Sequence, residues 1–432
     1  MNDLLGLALS PIVSCAAPVS RPLASSANSS IQKYSADRIQ LPIVLDFQLS
    51  KGKNEIRNWY HRQPTTQFTC IEHRKETTGR FRHEFVVVHL DNSSVCRFDR
   101  RAREDMRGHA LKDEGTISED SAHVITQADT EAIARLDESE VLLSANTDQW
   151  LDINFILAVC CGIQSHPEAK SYSLLHYNCY FFSWTLLAII DRRAHWPLLW
   201  ESNRIERIAK DWITGLCNRL APEMVIAYRR EQPFWERLTR LGRSAIDTNS
   251  HQESLALQVD PYIITEMQKA LGWKFSRRLV SDLDEILFPS QISSWLKWKF
   301  SSALREGGRL GVQRFLDDNE AGRFDGSTSS VVYMHQSLVE RAWHKADTVW
   351  KRYEKVLDTF IADDSDIRVW SDEYRSGAIH HVTRRMVGHF KQVEGYGFGK
   401  AERSIRRAED TMTEIWLSAL DMMKNESELS FL

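Results

Sequence analysis

A thiol and an imidazole are the pair this chain offers for covalent catalysis, and each stands at a place where backbone geometry favours chemistry. Cys179 follows Asn178 at the start of a strongly apolar run, YFFSWTLLAII (Tyr180 to Ile190), in which only Ser183 and Thr185 are mildly polar. Asn is a preferred helix N-cap, so the pair reads as a cap followed by the first helical residue. A helix without a polar face is a buried central helix. The run is expected to stop before Pro197, after Arg192, Arg193 and His195, whose charges suit the negative end of the helix dipole. A thiol at such a helix start meets unpaired N–H groups and the positive end of the dipole, which stabilise a thiolate. That is how thiol hydrolases and acyltransferases arm a nucleophile.

His83 is the matching base. It stands at the head of HEFVVVHL (His83 to Leu90), a strand by its β-branched content, far upstream of Cys179. His89 lies on the same face of that strand but well along it, so only one of the two can serve Cys179. His83 is preferred, because functional residues concentrate where elements end. A thiol–imidazole pair needs a third group to orient the ring. Asp99, on the next strand, and Glu104, just after it, are the two candidates.

Other chemistry-like features have plainer readings. Gly395, Gly397, Gly399 and Lys400 (GYGFGK) lack the spacing and the preceding strand of a phosphate loop and read as a turn between helices. His380 and His381 are adjacent, so they diverge on a helix and do not suggest a metal pair. Cys160 and Cys161 sit inside an apolar run as core thiols. No metal or organic cofactor is called for.

The elements that must hold these residues are legible in outline. Residues 1–36 are rich in Ser, Ala and Pro and are expected to form a disordered arm. Ile39 to Gln48 is strand-like, and Asn54 to Tyr60 suggests a helical turn. Thr66 to Glu72, Phe81 to Leu90 and Ser94 to Arg101 form an antiparallel meander, with Asp91, Asn92 and Ser93 as turn chemistry. In the last of these strands Val95, Arg97 and Asp99 share one face and Cys96 and Phe98 the other. Glu104 to Asp120 reads as a loop, Ala122 to Ile125 as a short strand, and Asp148 to His166 as a helix ended by Pro167. Beyond Pro197 the pattern is helical. Leu338 to Phe360 and Ile405 to Met422 carry apolar residues in steps of three and four, with linkers at Asp247 to Glu253 and Asp317 to Ser330. The reading is α+β: a small antiparallel sheet packed on a central helix over residues 37–197, followed by an all-α domain over 198–432.

Composition excludes several classes. The chain has 432 residues, 42% hydrophobic and 26% charged, with a formal net charge of −4, so nucleic acid is not the expected partner. Its 7 cysteines are odd in number and include no C-x-x-C, which points to a reducing, intracellular, cytoplasmic setting rather than a disulfide framework. No segment reaches the roughly 20 apolar residues of a transmembrane helix. The first twenty residues lack a basic n-region and carry Asp3, unlike a secretory signal.

A His-bearing strand (HEFVVV) followed by an Asn-Cys pair opening an apolar helix (YSLLHYNCYFF) resembles the circularly permuted papain-like fold. Lecithin-retinol acyltransferase-like proteins, permuted NlpC/P60-type proteins and PPPDE-type peptidases share that order. The NCYFF segment is also similar to segments of long fungal proteins. The resemblance covers roughly residues 66 to 197, and Tyr180 and Phe181 depart from it by standing where polar residues or His often follow. It implies a cysteine hydrolase or acyltransferase acting on an amide, isopeptide or ester carbonyl of a protein or acyl substrate. Cys179 would be the nucleophile, His83 the base and Asp99 the third residue. The alternative is a catalytically inactive helical scaffold for protein interaction.

Overall fold

The structure, a computed structural model, describes residues 41–201 with short gaps at 79–81 and 112–113, most of 261–321, and 377–424. The chain divides into two compact units: Met1–Leu198 together with Arg375–Leu432, and Leu199–Tyr374. The first unit is α+β. The second is described only over its helical part, a helix over 261–270 and the long helix Ile292–Ala321.

The first unit is built on one antiparallel sheet. Its strands are β1 (Ile43–Val44), β2 (Gln67–Lys75), β3 (Glu84–Leu90), β4 (Val95–Ala102), β5 (Thr116–Ile125), β6 (Glu140–Asp152) and β7 (Ser171–Tyr172). The spatial order is β1-β5-β4-β3-β2-β6, with β7 paired to β5. The expected meander is its centre. Val86 faces Phe98 and Val88 faces Cys96, so Arg97 and Asp99 occupy the opposite face of β4, as their alternation requires. Val86, Val87, Val88 and Phe98 are wholly buried, the burial that a β-branched and aromatic run is suited to.

Helices pack on this sheet. Those of the first unit are α1 (Ser50–His61), α2 (Thr130–Asp137), α3 (Ile153–Ser165), α4 (Cys179–Glu201), α5 (Gly377–Gly395) and α6 (Ala401–Lys424). In α4, Phe181, Phe182, Trp184 and Leu186 through Ile190 are at most 1% exposed, so it is the central helix its sequence suggests. A buried ion pair ties the layers together. Arg100 on β4 donates to Asp120 on β5 at 2.7 and 3.2 Å and to the Ala169 carbonyl at 2.7 Å, with the Phe182 ring 5.6 Å away. Gln164 of α3 donates to the same carboxylate at 3.1 Å.

Several expectations need correction. Residues 148–152, read as the start of a helix, are the end of β6. The helix starts at Ile153 because the Asp152 carboxylate accepts the Asn154 N–H at 2.7 Å and caps it there. The loop read over 104–120 contains a short 3-10 helix, Glu104–His109, and yields to β5 at Thr116, which extends the short strand expected at 122–125 to ten residues. Of the strand expected over 39–48, the described part pairs with β5 at Ile43–Val44. The helix after Cys179 does not stop before Pro197 but runs to Glu201. Ile292–Ala321 extends into the stretch read as a linker from Asp317.

The largest correction concerns domains. Residues 375–432 belong with the α+β unit, not with 199–374, so the all-α region expected over 198–432 is divided. The periodic stripe from Ile405 to Met422 is α6, and it buries Ala408, Met412, Ile415 and Ala419. It lies so close to α3 that a Cβ built on Gly162 would sit 3.3 Å from the Ile415 side chain. The GYGFGK segment is the turn between α5 and α6, with Gly397 and Gly399 at φ 88° and 73°, a conformation that Gly adopts at little cost. The arm over 1–36, the linker at 247–253 and the stripe at 338–360 lie outside the described residues.

Candidate active site

Asn178 sets the position of Cys179. Its side-chain oxygen accepts the Tyr180 and Phe181 N–H groups at 2.9 and 3.2 Å, and its amide donates to the Leu174 carbonyl at 2.9 Å. One side chain thus caps the helix and closes the preceding turn, which fixes Cys179 as the first residue of α4. The N–H of a first helical residue has no partner within its own helix, so it is available to an oxyanion at the sulfur.

His83 immediately precedes β3, at the end of the sheet where α4 begins. Its Nε2 lies 2.6 Å from Asp99 Oδ1. The Cys179 thiol is close enough to the same ring to interact with it electrostatically. Nε2 is engaged by Asp99, and Nδ1 has no hydrogen-bond partner. The register explains the Asp99 contact. Val86 faces Phe98, so Asp99 lies one diagonal step from His83 on the same face of the sheet.

The ring is locked. It stacks on Phe85 with centroids 6.2 Å apart, and the Arg97 guanidinium lies 3.7 Å from the Phe85 ring centre. Arg97 grips Asp99 with two hydrogen bonds, of 2.7 and 2.9 Å, and reaches Glu76 at 3.3 Å. Burial alone would depress the His83 pKa. An ionised Cys179 and the Asp99 carboxylate reverse that and push it up to about 10. Asp99 is likewise penalised by burial but is held well below the usual carboxylate range by Arg97 and His83.

The structure therefore brings together Cys179, His83 and Asp99. Glu104 is not part of the cluster: its exposed side chain reaches Arg107, at 4.0 Å. His89 is half-exposed and pairs with Glu72 at 3.1 Å, away from the thiol. Burial pushes Cys96 and Cys160 far up from the free value. None of the five described cysteines forms a disulfide.

Tyr172 belongs to the same cluster and was not singled out by the sequence. It is wholly buried on β7, and its hydroxyl lies against Cys179 with no conventional hydrogen-bond partner. Burial, then the neighbouring thiol, raise its pKa well above the ordinary value, so it stays a neutral donor beside the sulfur. A tyrosine before a turn looks like any core aromatic, and no spacing rule distinguishes it.

The centre is closed. Cys179 is 3% exposed and His83 wholly buried. A cleft of about 1320 Å³ opens beside the start of α6, lined by His166, His176, Lys400 and Arg407 among others, but neither Cys179 nor His83 borders it. Among the described residues no group of three or more His, Cys, Asp or Glu is placed to hold a metal ion. Also among them, no helix is long and apolar enough to cross a membrane.

Comparison of the chain with protein-family models, curated proteins and solved structures found no match. Function is therefore argued from the site itself.

Proposed function

We propose that this protein is a cysteine hydrolase or acyltransferase that works through Cys179 and His83, with Asp99 orienting the imidazole. The observation that carries the reading is the position of His83, with Nε2 2.6 Å from Asp99 and the Cys179 thiol close enough to interact with the ring. That is the nucleophile, base and orienter relation of thiol catalysis. The order of a His strand before a Cys helix, on an antiparallel sheet, supports a permuted papain-like arrangement.

In the reaction, the Cys179 sulfur attacks the carbonyl carbon of an amide, isopeptide or ester while its proton resides on His83. The oxyanion is met by the Cys179 N–H and the Tyr172 hydroxyl. His83 gives its proton to the leaving nitrogen or oxygen as the carbon–heteroatom bond breaks, leaving a thioester on Cys179. Water completes hydrolysis, or another acceptor completes transfer, with His83 taking the acceptor's proton. The substrate is a protein or acyl compound, and a reducing cytoplasm suits the thiol.

The test is acylation of the full chain with activated esters, followed by peptide mapping. An acyl group should appear on Cys179 and be lost in Cys179→Ala. In His83→Ala its formation should fall by about 10²–10⁴-fold, the usual reach of a general base. Acylation of Cys179 no faster than that of the partly exposed Cys70 would sink the reading. The second reading, a catalytically inactive scaffold, is favoured by the closure of the site, since Cys179 is only 3% exposed.

A further inference from the structure

We infer that α5 is a latch that holds this catalytic centre shut, so that the enzyme is autoinhibited by its own C-terminal hairpin until α5 is displaced. The inference rests on the Cys179–His83 reading and concerns the regulation of that site.

Three residues of α5 at four-residue spacing, His381, Arg385 and His389, lie in one stripe on the helix surface. Each grips a different part of the catalytic unit. His381 Nε2 lies 3.0 Å from His73 Nδ1 on β2, and His73 Nε2 is in turn 3.1 Å from the Glu84 carboxylate. Arg385 pairs with Glu84 itself, the residue next to His83. Lys75 also reaches that carboxylate, at 3.0 Å, and lies 5.3 Å from the centre of the Tyr180 ring. His389 sits edge-on to Tyr180, the residue after the nucleophile, at 5.2 Å, and to Trp184 at 5.7 Å. It also bonds the backbone at Leu175, in the turn that Asn178 closes. Phe390 adds contacts to His176 and Trp184.

The helix therefore touches the residue beside the base, the residue beside the nucleophile and the turn between β7 and α4. A carbonyl substrate must reach a sulfur that is 3% exposed, so something has to move. The sheet and α4 are the core and cannot. One face of α5 buries Ile379, Val382, Met386 and Phe390, while the stripe of His381, Arg385 and His389 meets the sheet and α4 through polar and ring-edge contacts, and it is the stripe that ties the helix to the site. Both states of a latch need only differ in population, and loss of one charged contact shifts that balance.

The experiment labels the full chain with a bulky maleimide and follows each cysteine by peptide mapping, in the wild type, Arg385→Ala and Arg385→Lys. Losing a hydrogen bond to a buried charge should raise Cys179 labelling about tenfold or more in Arg385→Ala, with a smaller rise in Arg385→Lys. Cys96 and Cys160 should not change. An unchanged Cys179 rate in a folded variant overturns the latch, and so does a parallel rise at Cys96 and Cys160, which marks general loosening. Should Arg385→Ala not fold, hydrogen exchange of the wild type decides. Amides of 377–395 should exchange through an opening that leaves β3 protected, whereas exchange of both only in one global event overturns the proposal. The double variant Arg385→Ala/His83→Ala separates the two ideas. If opening persists but removal of His83 does not slow Cys179, the latch stands and the catalytic reading falls.

Discussion

Replacing Asp99 by Asn keeps the shape of the His83 contact but removes the charge that helps hold a proton on the ring. His83 should titrate near 10 in the wild type and markedly lower in Asp99→Asn and in Cys179→Ala, as read by NMR of the ring. The sign for stability follows from the direction. A histidine whose folded pKa is raised stabilises fully below its unfolded value, about 6.5, and that stabilisation is lost as pH rises toward about 10. Thermal unfolding of the wild type between pH 7 and 10 should therefore fall more steeply than that of Cys179→Ala. Equal slopes would mean that Cys179 does not help to raise the His83 pKa. Removing Asp99 altogether takes two short hydrogen bonds from the buried Arg97 and leaves it Glu76 at 3.3 Å, so Asp99→Ala should cost about 3 kcal/mol in chemical denaturation. Cys179, His83 and Asp99 could be read from sequence because each follows a local rule: a cap before a thiol, a strand end, a period-two face. Tyr172 follows none, and only the fold shows which core aromatic meets the sulfur.

Asn178 joins α4 to the turn before it, so its loss acts on an element as well as on a side chain. Asn178→Ala should cost about 1–2 kcal/mol, the worth of a strong cap, and should slow Cys179 acylation by loosening its position. Asn178→Ser, which can still cap, should recover most of the stability; if it does not, the Leu174 contact rather than the cap is what matters. Glu84 binds β3 to α5 in a similar way. Burial would raise its pKa, but His73, Arg385 and Lys75 hold it down at about 2. Its stabilising effect is present above the ordinary value of about 4.5 and is lost as pH falls toward 2, a difference of roughly 3 kcal/mol. Urea denaturation at pH 7 and pH 3 should show about 2 kcal/mol of that loss in the wild type, because pH 3 still lies above the folded value, and much less of it in Glu84→Gln. The elements themselves were legible where one period dominated, as in β3, α4 and α6. They were misread where two signals overlapped. Trp150 and Leu151 continue an apolar pattern into α3, yet Trp150 is 57% exposed on β6, and the helix start is set by the Asp152 cap. Pro197 marks a stop by its chemistry, yet the helix passes through it.

At the scale of the molecule, the return of residues 375–432 to the α+β unit is what sequence could not supply. An amphipathic stripe states that a helix has a partner but not which one. Here the α6 stripe is spent on α3, where Gly162 permits contact with Ile415, and the α5 stripe on the sheet and α4. The consequence is a specific dependence between distant parts of the chain. A fragment of residues 41–198 would expose the faces of α3 and α4 that the hairpin covers, including Trp184, which is 1% exposed in the whole chain. Exposed apolar surface of that kind promotes association, so this fragment should be aggregation-prone and bind a hydrophobic dye. Adding residues 375–432 in trans, or joining them by a flexible linker in place of 199–374, should restore a cooperative unfolding transition and suppress dye binding. A fragment of 41–198 that is already monomeric and cooperative would show that the hairpin is an accessory to this unit rather than part of its core. Restoration by 375–432 carrying Arg385→Ala, with the Cys179 thiol now open to labelling, would show that packing by α6 and closure by α5 are separable functions of one hairpin.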